Sequence, residues 1–520
     1  MRRIVLWLAL AACGAGKPPG TPSAPAPPLR APVAAGASPC PNIPVSLQPP
    51  PALVMPPDFS GTNQTDADCM AWQEFLYLNW AADPAHPGQP DPAASVASYG
   101  QPGAVGPTVW ESYLTSEEVF TTTGTPTTWN AARPARKLLH QLSKLGDDQL
   151  ELGAIEQASG GWLTDQSGNL IFYEVHLNQD EYDFITGNSL TTVAGQTACA
   201  ANPGSGGNGG FNLPAGGGVN GGNLDYTCGG AAAKYGQNLG AIETKAAWRV
   251  LPADGSLNDR YKIAAATLHL PDGSTQAATV GLIGLHIIHK VPNAAQLVWA
   301  TFEQIDNDPD TGNPPSAPAL PANAPPITAP TGVAYSLFNP KCDPSTDKVY
   351  ACAQNTTLSS GQNLPPCPAG TYTPNQCYPY WAPMQVVRST PVQSLPNTIT
   401  SYAWSQLPGK SVFGYYRLID VQWPSQPSQI RPGATVALPQ GAIQPASSTR
   451  IVANSTMETF VQTQLACMDC HRSAPVAQQA PQRTLRAGVH PVRRLRSTGA
   501  SGQAAYAADY SFIYASDTQH

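Results

Sequence analysis

The hydrophobic pattern changes period along the chain, and the changes mark out elements. In "DADCMAWQEFLYLNWAA", 66–82, Cys69, Trp72, Phe75, Leu76 and Asn79 recur at helical spacing and predict an amphipathic helix. "ARPARKLLHQLSKLG", 132–146, predicts a second helix closed by its glycine. In "GWLTDQSGNLIFYEVHLN", 161–178, two apolar runs flank a polar, glycine-containing turn and predict a hairpin. From 241 to 306 four strand-like runs follow one another: "AIETKAAWRVL", "RYKIAAATLHL", "TVGLIGLHIIHK" and "LVWATFEQID". In the first, Ile242, Thr244, Ala246, Trp248 and Val250 share one face, and Glu243, Lys245 and Arg249 the other. The connections "PADGSLND" and "PDGST" are too short for crossovers, so the pairing should be antiparallel.

After a proline-rich loop at 307–332, "MQVVRST" and "SVFGYYRLIDVQWP" return to strand-like sequence. In "NSTMETFVQTQLAC", 454–467, Ser455 with Glu458 three residues on forms a capping-box pattern, predicting a helix that delivers Cys467. The expected fold class is α+β and β-rich. A large antiparallel-sheet domain, 57–450, would carry peripheral helices, long Gly/Pro loops and disulfides, with a small helical segment, 451–520, packed on it.

The N-terminus changes the picture of where the chain goes. "MRRIVLWLALAAC" has a charged start, a short apolar run and small residues before Cys13, a pattern of export and processing. That run is far below the roughly 20 residues needed to span a bilayer. The Pro-, Ala-, Gly- and Ser-rich stretch after it has too few large apolar side chains to offset ordering entropy and reads as a tether. The expected division is a signal peptide over 1–12 and a tether over 13–56. With a net charge of −7 and 12% charged residues, composition offers no general case for nucleic-acid binding.

Cysteine usage carries the chemistry. "CMDCH" places Cys467 and Cys470 two residues apart with His471 next, the spacing at which two thiols meet the two vinyl groups of a porphyrin and an imidazole meets its iron. A zinc site would want a second pair of ligands, and a redox pair a βαβ context. A plain disulfide between the two cysteines is the strongest competing reading. Setting aside Cys13, Cys467 and Cys470, eight of the eleven cysteines remain: Cys40, Cys69, Cys199, Cys228, Cys342, Cys352, Cys367 and Cys377. An even remainder in an exported chain predicts disulfides, with Cys199 and Cys228 suited to closing the glycine-rich stretch between them.

"LAAC" at 10–13 resembles the lipobox of bacterial lipoproteins, and "CMDCH" resembles bacterial c-type cytochromes. Through "AWQEFLYLNW", "VWESYLTSEEVF", "IETKAAWRVL", "GLHIIHKVPNAAQLVWATFEQIDN", "YYRLIDVQWP", "STMETFVQTQLACMDCH" and "ADYSFIYAS", the wider chain resembles little-characterised secreted bacterial mono-haem cytochrome c family lipoproteins. The resemblance implies lipid on Cys13, outer-membrane anchoring towards the periplasm or cell surface, and one covalent haem c. It further implies thioethers at Cys467 and Cys470 and His471 as proximal ligand. For the distal position the candidates are Met384, His289, His286, His176 and His490, with an open five-coordinate iron as the alternative. His286 and His289 should point to opposite faces of their strand.

The expected function is electron transfer by an exported lipoprotein, with a peroxidase- or oxygenase-like haem enzyme as the alternative and a binding module as a third reading. A redox partner protein or small-molecule substrate is expected, and membrane contact through the lipid alone. Glu243, Lys245, Arg249, Lys290 and Glu303 form either a catalytic pocket or a solvated sheet face with cross-strand ion pairs. The basic run at 483–496 is either a dock for an acidic redox partner or a solvated loop.

Overall fold

The computed structural model describes residues 38–59, 63–121, 123–140, 162–202, 212–222, 225–270, 273–309, 335–342, 352–356, 382–424, 443–444, 452–463, 466–471, 474, 476 and 508–515. Cys13, Cys367, Cys377, His490 and the basic run at 483–496 lie outside the described residues. No described helix is long and apolar enough to cross a membrane.

The described helices are α1 (Gln64–Leu78), α2 (Ser116–Val119), α3 (Gln179–Gly187), α4 (Val193–Ala201), α5 (Ser394–Ser405) and the single turn α6 (Cys467–His471). The strands are β1 (Leu114–Thr115), β2 (Lys137–His140), β3 (Phe172–Leu177), the separate short pair β4 (Asp225–Tyr226) and β5 (Ala232–Ala233), β6 (Ile242–Val250), β7 (Ile263–His269), β8 (Thr275–Val291), β9 (Ala294–Gln304), β10 (Tyr416–Pro424) and β11 (Ile443–Gln444). Eight of them curl into a half-barrel, in the order β1-β3-β6-β8-β9-β10, with β7 on β8, β2 on β7 and the two-residue β11 extending the β10 edge. The long β8 pairs with β7 over its first half and with β6 over its second.

The antiparallel ladder expected over 241–306 is present, and the hairpin at 161–178 closes through the Thr164–Leu170 bridge. Four expectations need correction. The stretch expected to be helical at 132–146 contains β2 instead, paired parallel to β7 from Lys137–Ala266 to His140–His269, which makes the sheet mixed. Its apolar positions fit either period, and pairing with a neighbour 129 residues away decides between them. "MQVVRST" forms only the bridge between Gln354 and Gln385. Residues 455–463 are a run of turns, not a capped α-helix. Residues 38–56, expected to be tether, are packed chain: Cys40, Val45, Leu47, Leu53 and Met55 are buried in the main core, and Cys40 is bonded to Cys69 of α1.

Both faces of the sheet are covered. On one, α1 lies against β10 and α5, with Phe75 and Phe302 ring centroids 4.5 Å apart and Trp72 donating to Thr400 Oγ1 at 3.2 Å. The expected amphipathic helix is in fact buried almost all round; Asn63 caps it through Asp66 N, and two of its buried polar residues have partners across the fold, Gln73 at Ser46 and Glu74 at His289. The opposite face, with Glu243, Lys245, His286, Thr301 and Glu303 in cross-strand register, is roofed by segments 335–337, 382–388, 452–463, 466–471 and 508–515. The approach is close: a Cβ on Gly284 would stand 2.3 Å from Thr456 Oγ1.

Candidate functional site

The roof is pinned to the sheet by side chains before the CxxCH. Asn454 donates through Nδ2 to Thr301 Oγ1 at 2.9 Å and to the Phe302 carbonyl at 3.0 Å, while Tyr173 donates to the Thr456 carbonyl at 2.7 Å. Ser455 does not cap a helix. Its hydroxyl lies between Glu303 Oε2 at 3.0 Å and Asp308 Oδ1 at 2.7 Å, and Glu303 is ion-paired with Arg388. Glu458 accepts from Asn454 N at 2.7 Å and faces His286 Nε2 at 3.2 Å. Burial alone would raise the Glu458 carboxyl, but His286 and Lys245 hold it below the usual range.

Cys467 to His471 form the one-turn helix α6, tied to β10 by Met468 N donating to Gln422 Oε1 at 3.0 Å. The Cys467 thiol is buried, with Sγ 3.8 Å from the Val452 carbonyl, in an apolar cluster with Ile288, Leu297, Trp299, Met468 and Tyr510. The Cys470 side chain lies outside the described residues. The partly buried His471 ring is 4.3 Å from Trp299 and 5.0 Å from Phe512, centroid to centroid.

His471 Nδ1 is 2.9 Å from the Tyr510 carbonyl. A carbonyl oxygen only accepts, so Nδ1 carries the proton and the lone pair is on Nε2. Burial pushes this imidazole down to about 4, against a weaker upward pull from the Tyr510 hydrogen bond, so it is neutral at physiological pH. A neutral imidazole with its tautomer fixed by a backbone carbonyl, in an aromatic and apolar shell beside a buried thiol, is the donor chemistry that a haem iron asks of an axial histidine.

The Tyr510 carbonyl comes from a strap, 508–515, which sequence reasoning missed as a partner of the motif. Ala508 N donates to the Ala474 carbonyl at 2.9 Å, returning the chain to the end of the CxxCH turn. Asp509 and Tyr510 then take left-handed backbone angles, φ 51° and 70°. Such a conformation for two successive non-glycine residues costs energy and persists only where contacts impose it. Here Asp509 is ion-paired with Lys290 and accepts from Leu213 N at 2.7 Å.

The distal candidates separate. His289 is on the α1 side of the sheet, with Nδ1 at Glu74 and Nε2 2.9 Å from the Leu239 carbonyl, so both nitrogens are committed. His176 is also on that side, against Trp110, with Nδ1 3.2 Å from the Tyr113 carbonyl and Nε2 3.1 Å from Glu174. Met384 is buried in a different cluster, with Leu163, Tyr173, Ala247 and Met457. His286 shares the roofed face with the CxxCH, and its charge and that of Lys245 both bear on His471.

The polar residues 243, 245, 249, 290 and 303 are neither a solvated face nor an open pocket. Glu243, Arg249, Lys290 and Glu303 are buried, and the ion pairs run to the roof and to the 165–169 turn: Lys290–Asp509, Arg388–Glu303, and Arg249–Asp165 at 3.2 Å. Among the described residues no group of three or more His, Cys, Asp or Glu is arranged to hold a metal ion. Cysteines 40 and 69, 199 and 228, and 342 and 352 form disulfides, which indicate folding in an oxidising, extracytoplasmic compartment. Comparison of the chain with protein families, with curated proteins and with solved structures finds no match.

Proposed function

We propose that this chain is an exported mono-haem c-type cytochrome of the lipoprotein kind, anchored to the outer membrane through lipid on Cys13, whose work is electron transfer. Cys467 and Cys470 would bind the haem through thioethers and His471 would be its axial ligand. When bound, the group supplies one-electron exchange between ferric and ferrous iron, at a potential set by ligand, burial and hydrogen bonding. The observation that carries the reading is the His471 imidazole, neutral and oriented by the Tyr510 carbonyl, at the end of a Cys-x-x-Cys-His turn. Three disulfides support the compartment in which such a haem is attached.

The test is maturation of the full chain in a host with cytochrome c assembly machinery, followed by denaturation. Haem should stay with the wild-type polypeptide and be lost from the Cys467→Ala, Cys470→Ala double variant; wild-type protein without covalent haem overturns the reading. His471→Ala should weaken attachment and change the iron spectrum.

One arrangement favours a second reading, a haem enzyme of peroxidase or oxygenase type. The His286–Glu458 pair and Lys245 stand on the roofed face within electrostatic reach of His471, a set able to hold and move a proton. Absorption spectra with and without carbon monoxide separate the two. A carrier with two strong axial ligands leaves the ferrous spectrum unchanged, and an open site binds the gas.

A further inference from the structure

Glu181 of α3 and Glu243 of β6 are both buried and act on each other as neighbouring carboxyl groups, and Glu181 Oε2 and Glu243 Oε1 have no hydrogen-bond partner among the described residues. Two ionised carboxylates buried next to each other repel, which favours a pair that holds at least one proton. Tyr514 donates to Glu181 Oε1 at 3.0 Å, Ser511 hydrogen-bonds Glu243, and the buried Asp509 acts on both as a neighbouring negative group. Lys290 of β8 spends its charge on Asp509.

Asp509, Ser511 and Tyr514 all belong to the strap that presents the Tyr510 carbonyl to His471. The strap therefore touches the acid pair with side chains at 511 and 514, and the histidine with the carbonyl at 510. A second connection crosses the sheet: Glu243 is directly opposite Ile288 and Ile288 directly opposite Trp299, whose ring packs on His471. No described contact of the haem reading needs two carboxyl groups here, and burying them side by side is costly unless a proton is shared.

We propose that Glu181 and Glu243 form a proton site linked to the redox state at His471. The inference rests on the haem reading. Iron(III) becomes iron(II) with one electron from an external one-electron donor. In the same step one proton from water forms an O–H bond on the pair, which passes from one proton to two, so the added electron is compensated in charge. Oxidation reverses both. Burial supports this assignment: it pushes Glu243 up to about 7, against the downward pulls of Ser511 and Glu181, and it raises Glu181 as well.

The test is an optical potentiometric titration of the haem-loaded full chain, with mediators, from about pH 6 to about pH 8. The wild-type midpoint should fall as pH rises, approaching ~59 mV per unit, the value for one proton per electron. Glu243→Gln and Glu181→Gln should flatten the dependence. A flat wild-type curve, or an unchanged slope in both variants, overturns the proposal. Should the variants fail to fold, the wild-type redox-difference infrared spectrum decides. A protonated-carboxyl band that grows on reduction and shifts in deuterium oxide is expected, and its absence overturns the proposal. The two readings fail differently: without covalent haem both fall, whereas with covalent haem and a flat midpoint only the proton site falls.

Discussion

Gly284 shows how tightly the CxxCH segment depends on single positions. With no Cβ, it lets the 454–458 turns settle directly onto β8, where Asn454 and Thr456 are bonded to the sheet. An alanine there would set its methyl 2.3 Å from Thr456 Oγ1 and 3.1 Å from Asn454 Oδ1, an overpacking of the kind that costs about 1–3 kcal/mol. Gly284→Ala should therefore lower the denaturant midpoint, while Gly409→Ala, where a Cβ meets nothing within 4 Å, should leave it within ~0.5 kcal/mol. Equal effects would show that the roof is not held as described. The residue scale also marks how far the sequence reaches into the site. Cys467, Cys470 and His471 are legible because their chemistry is local, five residues in a row. Trp299 and Tyr510 are not, since one arrives by strand register and the other through two left-handed residues that no local propensity favours.

At the scale of elements, the Cys40–Cys69 bridge explains how residues 38–56 pack onto the core despite their proline-rich sequence. It fastens a segment with no strand or helix of its own to α1 across 29 residues. Closing a loop of that length in the unfolded chain is worth about 3–4 kcal/mol in the chain-entropy account. Replacing both cysteines by alanine should lower stability by about that much and open 38–56 to proteolysis first; unchanged protease resistance of that segment would contradict its packing. The period-two ladder over 241–306 was legible because alternation and short turns leave little choice of pairing. β2 was not, because its four residues fit either period and their partner lies far along the chain. The capping box at Ser455 and Glu458 failed for a related reason: Glu303 and Asp308 took the serine and His286 faces the glutamate, so long-range partners outbid a local pattern. Alternating polar residues on β6, β8 and β9 read as solvent-facing for want of any local sign that distant segments would cover them.

On the whole-molecule scale, the covered polar face makes stability depend on pH in a definite direction. Ser455 has one hydroxyl proton between two carboxyl groups, Glu303 Oε2 and Asp308 Oδ1. The shorter contact is the donation from Ser455 to Asp308 Oδ1, while Glu303 is held by Arg388. Burial pushes Asp308 up to about 7, with Arg388 pulling the other way, and pushes Glu243 up to about 7 as well. A carboxyl whose folded value is raised binds a proton in the native state that the unfolded chain has already lost. Its contribution to stability therefore falls as pH rises from about 4 to about 7, at up to ~1.4 kcal/mol per unit for each group. Below that range Glu111 and Glu458, held down by their lysine and histidine partners despite burial, lose stabilisation as they protonate. The protein should thus be most stable near pH 4.5 and less stable at pH 7.5, as measured by denaturant unfolding with the disulfides intact. Asp308→Asn, which keeps an acceptor oxygen towards Ser455 and cannot ionise, should remove part of the decline and unfold at higher denaturant than wild type at pH 7.5. If the variant keeps the wild-type slope, Asp308 is not the group that holds the proton.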